Sequence, residues 1–144
     1  MAKALAIAEL DAGQIEAAVT LWQACGLTRP WNDAHADARR ALAGPATTIQ
    51  AGCLDSRLAA TAKVGADGHR AWVYYLAVAP DLARRGVGSA MMRAAEAWAG
   101  ARGIPKLELM VRDGNDAAAA FYTALGYARE PVSVYSVRLE DERA

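Results

Sequence analysis

The sequence predicts a mixed α/β fold of packed layers around one core, of the α+β type. Three observations carry that prediction. Period-2 apolar runs alternate with apolar stripes at helical spacing along the chain. Residues 71–111 read strand, helix, strand, a β-α-β unit whose two strands must be parallel neighbours. The turn signals Asp55-Ser56 and Gly65-Ala66-Asp67-Gly68 separate consecutive strands, so the flanking sheet is antiparallel. The chain of 144 residues is long enough for one domain, 1–144, with a sizeable core.

Leu5 and Ile7 alternate with small residues and open a first strand. Asp11 with Gln14 makes a capping-box pattern. Ile15, Ala18, Val19 and Trp22 then recur at helical spacing up to Gly26, which is placed to close the helix. Thr28-Arg29-Pro30-Trp31-Asn32 is a loop, and Asn32 or Asp33 can cap a second short helix ending near Gly44-Pro45. Residues 47–54 and 57–64 read as two strands, and 71–78, nearly continuous in apolar character, as a central one. Val87, Ala90, Met91, Ala94 and Trp98 mark one face of a helix ending near Gly103. Residues 106–111 read as a strand and 115–125 as a helix closed by Gly126. Residues 127–129 and 133–139 read as two final strands, parted by Glu130-Pro131 because proline cannot donate to a ladder. The order is β-α-α-β-β-β-α-β-α-β-β, a mostly antiparallel sheet with one central parallel pair and about four flanking helices.

Composition narrows the function. Hydrophobic residues make up 54% of the chain, but 36 residues are alanine, so the content of large apolar side chains is ordinary. The 16 basic and 16 acidic residues cancel, which argues against a nucleic-acid partner. Cys25 and Cys53 have no metal-ligand or disulfide spacing and fit two free thiols in a reducing cytoplasm, with no metal site. The first ten residues alternate and run into Glu9 and Asp11, unlike a signal peptide. Nothing approaches the roughly 20 apolar residues of a membrane span, so no membrane partner is expected.

The most telling stretch runs from Tyr74 to Ala90. An apolar strand meets Pro80, then a turn with Arg84 and Arg85, then Gly86-Val87-Gly88-Ser89-Ala90 opening a helix. Unpaired N–H groups and the partial positive charge of a helix start bind anions, and glycine lets a phosphate approach the backbone. The two guanidinium groups add donors. A phosphorylated ligand is therefore expected here. It is not held as in a dinucleotide fold, because Met91 stands at the third glycine position of G-x-G-x-x-G and Glu108 lies in mid-strand. No Gly-Lys-Ser/Thr of a P-loop occurs.

The segment resembles the GNAT family of acetyl-CoA-dependent N-acetyltransferases, whose signature R/Q-x-x-G-x-G/A opens the helix after the fourth strand. Gly86 and Gly88 match, as does the lead-in Val78-Ala79-Pro80, while Ala83 departs at the Arg/Gln position. A second segment, from Asn115 to Tyr127, resembles the family's N-x-x-A-x-x-F-Y-x-x-x-G-F/Y, with Asn115, Ala118, Phe121, Tyr122, Gly126 and Tyr127 all matching. The segments 27–33, 67–70 and 74–76 are further similar to the YpeA-like bacterial branch.

The resemblance implies acetyl transfer from acetyl-CoA to a primary amine, of a small molecule or a peptide or protein, by direct attack in a ternary complex. It implies a parallel strand pair splayed apart to admit the pantetheine arm. It assigns coenzyme A binding to Leu76, Ala77, Val78, Arg84, Arg85, Gly86, Val87, Gly88, Ser89, Ala90, Asn115, Ala118, Phe121 and Tyr122. The Val78 N–H, where the family's strand bulges, would polarise the thioester carbonyl. Tyr122 is the candidate general acid, with an ordinary phenol pKa of ~10. For the base, Glu108, His69 and an ordered water stand as alternatives. Trp31, Asn32, Asp33 and Tyr74 are the candidate acceptor-binding residues. Tyr74 and Tyr75 are expected on opposite faces of their strand. An acyl-CoA-binding module without turnover, or transfer of a different acyl group, is the alternative reading. Monomer and homodimer both fit the terminal strands.

Overall fold

The computed structural model describes residues 4–140, divided after Met110 into two compact units. Met1 to Lys3, the start of the segment read against a signal peptide, lie outside the described residues, as do residues 141–144.

The first unit is a five-stranded sheet in the order β1-β2-β3-β4-β5 with three helices. Its strands are β1 (Ala6–Glu9), β2 (Thr47–Leu54), β3 (Arg57–Ala66), β4 (Ala71–Val78) and β5 (Leu107–Leu109). The first three neighbouring pairs are antiparallel, and β4 and β5 are parallel. The parallel pair is joined through helix α3 (Val87–Ala101), as the β-α-β pattern requires. Among the described residues β5 is the last strand of the sheet and is only three residues long.

Helices α1 (Ile15–Ala24) and α2 (Ala34–Ala43) cover one face of the sheet. Trp22, Val19 and Leu21 of α1 and Ala38 and Ala41 of α2 bury against Ile49, Ala51, Ala59 and Ala77. The opposite face takes α3, whose Val87 and Met91 meet Ala60 and Ala62. The alternation along β3 therefore does what a strand must: Ala59 and Thr61 face one layer, Ala60 and Ala62 the other. Alanine at these positions lets the helices sit close. At Gly52 a Cβ would come within 2.9 Å of the Met91 sulfur, so α3 rests directly on the β2 backbone.

Local chemistry sets the element ends. The Gln14 side chain accepts from the Asp11 N–H at 2.9 Å before α1. Gly26, at φ +70°, closes α1, and Leu27 N–H bonds back to the Trp22 carbonyl. Asp33 caps α2 by accepting from Ala36 N–H at 3.0 Å.

The second unit holds helix α4 (Asp116–Ala124), capped by Asn115, whose side chain accepts from Ala118 N–H at 3.1 Å. Gly126 at φ +97° ends it. The two final strands expected over 127–129 and 133–139 are absent: residues 127–140 form no ladder, and Tyr135 is 94% exposed. Alternation marks where a strand could lie, but its hydrogen bonds come from a neighbour that period cannot supply. Among the described residues, no helix is long and apolar enough to cross a membrane.

Candidate active site

The start of α3 is built by two left-handed residues in close succession. Arg84 lies at φ +64° and Gly86 at φ +78°. They turn the chain out of the short 3₁₀ turn Pro80–Leu82 and into the helix. Ala90 N–H makes the first helical bond, to the Gly86 carbonyl at 3.1 Å. The N–H groups of Val87, Gly88 and Ser89 therefore point forward without helical acceptors. Ala90 spends its own N–H inside the helix. Arg84 and Arg85 are exposed beside these donors. Three backbone donors and two guanidinium groups around a left-handed glycine suit a pyrophosphate, so the residues fit the phosphates of coenzyme A. Ala83 hydrogen-bonds Pro80 through its backbone, a contact that the usual Arg or Gln side chain would leave unchanged. Arg57 grips Asp81 through two bonds of 2.6 and 2.9 Å and ties this turn to the start of β3.

Among the described residues, the strand leading into that turn is paired along only part of its outer edge. Pairing of β4 with β5 covers only Ala71 to Val73. Ala79 N–H bonds to Ala59 of β3 at 2.8 Å, so by antiparallel alternation Ala77 also faces β3 while Leu76 and Val78 direct their main chains outward. Beyond Val73 that outward edge has no strand partner among the described residues. The irregularity falls at Tyr75 rather than at Val78: β3 advances two residues from Thr61 to Lys63 while β4 advances three from Tyr74 to Ala77. Tyr75 sits at φ +53°, a conformation costing a non-glycine residue about 1–2 kcal/mol.

The extra residue also overturns the expectation that Tyr74 and Tyr75 face opposite ways. Tyr74 pairs with Lys63, which shares the α1/α2 face with Thr61, and Tyr75 shares that face with Ala77. Both phenols therefore lie on one side. The Tyr75 hydroxyl donates to Asp37 at 2.6 Å, and Asn32 donates to both Asp37 (2.8 Å) and the Tyr75 oxygen (3.0 Å). Arg40 pairs with the other Asp37 oxygen. The Lys63 ammonium lies 5.3 Å from the Tyr74 ring centroid.

Burial alone would raise the Asp37 pKa; the bonds from Tyr75 and Asn32, with the charges of Lys63 and Arg40, outweigh it and hold the carboxyl below its usual value of 3.8. Burial and the same carboxylate push the Tyr75 phenol far up. Burial lowers the Lys63 pKa. A carboxyl that titrates lower in the folded chain contributes stability above its unfolded pKa and loses it as pH falls through the folded one. Urea unfolding followed from about pH 5 to 3 is expected to show a steeper loss of stability in the wild type than in Asp37→Asn.

Of the expected acceptor residues, Asn32 and Tyr74 join this cluster, Trp31 stands 49% exposed in the adjoining loop, and Asp33 is committed to capping α2. Asn32 and Asp33 also line a shallow cavity of about 370 Å³ between α1 and α2, with Arg29 and His35. Asp37 carries the cluster's negative charge and escaped the sequence reading, since its partner Tyr75 lies 38 residues away.

Glu108 is not brought to this edge. It stands opposite Trp72, six residues before Val78 or about 20 Å along the strand. Its carboxylate pairs with Arg70 at 3.5 Å and Lys106 at 4.0 Å. His69 sits exposed in a turn where its N–H and that of Arg70 bond to Asp67.

In the second unit, Tyr122 packs edge-to-face on Phe121 (5.0 Å between centroids) and Tyr127 (5.8 Å). Its hydroxyl makes no hydrogen bond within that unit among the described residues. Burial raises its pKa above 10.0. Asn115 spends its side-chain oxygen on the helix cap and Ala118 its N–H on that same bond.

The family model described as "Acetyltransferase (GNAT) family" matches residues 16–127. An acetyltransferase of Pectobacterium atrosepticum is 38% identical over 128 residues, covering 89% of this chain and 91% of its own length. Among solved structures, the aminoglycoside acetyltransferase AAC(6')-Iy, in complex with the bisubstrate analogue CoA-S-monomethyl-acetylneamine, superposes with a TM-score of 0.81 at 19% identity, over 94% of this chain and 99% of that one. The ribosomal-protein-S18-alanine N-acetyltransferase from Escherichia coli superposes with a TM-score of 0.73 at 25% identity, over 85% of this chain and 77% of that one. With a glycine-opened helix start that suits a pyrophosphate beside an unpaired strand edge, and a family match across most of its length, the chain belongs to the GNAT family and is an acetyl-CoA-dependent N-acetyltransferase.

Proposed function

We propose that residues 1–144 act as one domain that transfers the acetyl group to a primary amine by direct attack, with both substrates bound together. The observation that carries this reading is the outward edge of β4 at Leu76 and Val78, open beyond Val73 and continuous with the anion-binding start of α3. Acetyl-CoA supplies the activated thioester. The N–H groups of Val87, Gly88 and Ser89, with Arg84 and Arg85, hold its phosphates. The outward N–H of Val78, aided by Leu76, donates to the carbonyl oxygen and stabilises charge that grows there. Tyr122 gives its phenolic proton to the departing sulfur as the new C–N bond replaces the C–S bond. Its raised pKa keeps that proton in place at neutral pH. Asn115, Ala118 and Phe121 are kept as coenzyme contacts on the match of their segment to the family pattern.

Trp31, Asn32 and Tyr74 border the acceptor, with Asp33 fixing the α2 start beside them. Ordered water relaying the amine proton to solvent suits the geometry better than Glu108, which is ion-paired and remote along the strand. Unbridged Cys25 and Cys53 support a cytoplasmic setting.

Thiol release from acetyl-CoA across a panel of aminoglycosides, polyamines, amino acids and peptides with free N-termini tests the reading. Acceptor-dependent release with one class is expected, and mass spectrometry of the product then names the acceptor. Release with succinyl-CoA but not acetyl-CoA would overturn the acetyl assignment.

A further inference from the structure

The strained residue of β4 is gripped at three separate points. The Thr61 hydroxyl donates to the Tyr75 carbonyl at 2.8 Å. The same oxygen accepts the Trp22 indole N–H at 2.8 Å. The Trp22 ring lies flat on the Tyr75 ring, 3.9 Å between centroids and 16° apart. The Tyr75 hydroxyl is in turn anchored on Asp37. Thr61 and Trp22 are both fully buried, so neither has water as an alternative partner.

This arrangement is more than a filled core needs. A left-handed tyrosine persists only where its surroundings over-determine it. The hydroxyl of Thr61 bridges α1 and the bulged carbonyl. Remove it, and Tyr75 O and the Trp22 N–H lose their partner together while the hydrophobic packing stays. The strand then has less to hold it out of extended geometry. A return to regular pairing at this point flips every main-chain group downstream by one residue, which turns Leu76 and Val78 inward.

We infer that Thr61 is a positioning residue for acetyl transfer: through the relay from Trp22 to the Tyr75 carbonyl it holds the bulge that directs the Leu76 and Val78 N–H groups outward. The inference rests on the role given to those N–H groups above. It makes a layer on the far side of the sheet from α3 responsible for the rate of a step whose coenzyme α3 binds.

The test is Thr61→Val, which keeps shape and removes the hydroxyl, beside Thr61→Ser, which restores it. Thr61→Val is expected to lower kcat about 10- to 100-fold with KM for acetyl-CoA within about twofold, and Thr61→Ser to recover most of the rate. Ile49→Val, a cavity-forming change in the same core, is expected to lower the melting temperature without changing kcat. If Ile49→Val slows the enzyme as much as Thr61→Val does, or Thr61→Ser fails to recover the rate, the effect is general destabilisation and the inference falls. Amide NMR separates this from the underlying reading. In the wild type, Leu76 and Val78 are expected to respond differently to acetyl-CoA and to CoA. No difference overturns the polarising role itself. A difference that survives unchanged in Thr61→Val, with unchanged kcat, overturns the clamp alone.

Discussion

Tyr122→Phe is expected to lower kcat by about 10²-fold or more while leaving KM for acetyl-CoA almost unchanged, the signature of a lost proton donor rather than a lost binding contact. The substitution removes a single oxygen. The ring still packs edge-to-face on Phe121 and Tyr127. Because the hydroxyl makes no hydrogen bond within its unit among the described residues, its loss should change stability by no more than about 1 kcal/mol. The pH profile offers an independent check. A general acid works only while protonated, and burial holds this phenol above its ordinary 10.0. The wild-type rate should therefore hold through neutrality and fall only as the pH rises past the usual phenol range. The Phe variant should lack that alkaline fall. A variant with near wild-type kcat would return the proton donor to solvent and leave Tyr122 as packing.

Trp22→Ala is expected to cost about 3–5 kcal/mol. Trp22 is fully buried at the centre of the α1/α2 core. Truncation empties a volume bounded by two helices and the sheet, which can close over it only in part. It also ends the stack on Tyr75 and the bond to Thr61. Against a typical total of 5–15 kcal/mol, much of the native margin disappears. Urea unfolding should show a midpoint far below wild type at an unchanged slope. Trp22→Phe keeps a ring over Tyr75 and loses the N–H and part of the indole volume, so its cost should be about 1–3 kcal/mol. Equal costs for the two would mean that the retained ring contributes little to this core.

Much of the local structure around the candidate site was legible in the sequence. The turn with Arg84 and Arg85 and the pair Gly86 and Gly88 announced a glycine-opened helix start, and the helix begins at Val87 with Gly86 left-handed before it. The sequence places Asp33 as a cap and an acceptor contact and Asn115 as a coenzyme contact; in the fold each side chain caps its helix. These features depend on a few consecutive residues. Glycine's access to positive φ, a short polar side chain reaching an N–H three residues on, and the 3.6 and 2.0 periods all act within one turn or strand.

What distance in the chain separates, only the fold could decide. Period 2 set Tyr74 and Tyr75 on opposite faces; one extra residue at φ +53° put them on the same one, held by Thr61 and Trp22 from 14 and 53 residues away. Asp37 became the charged centre of the Asn32–Tyr75 cluster because α2 folds over Tyr75. Glu108 looked catalytic by type, yet the β4–β5 register sets it opposite Trp72 among cations. The alternation of Ser133 to Leu139 promised a strand that no neighbour completes. Local sequence determined where elements begin and end, because backbone sterics and capping are short-ranged. Register, partner and facing were decided by tertiary structure, because a strand's hydrogen bonds and a buried charge's counter-ion are supplied from elsewhere in the chain.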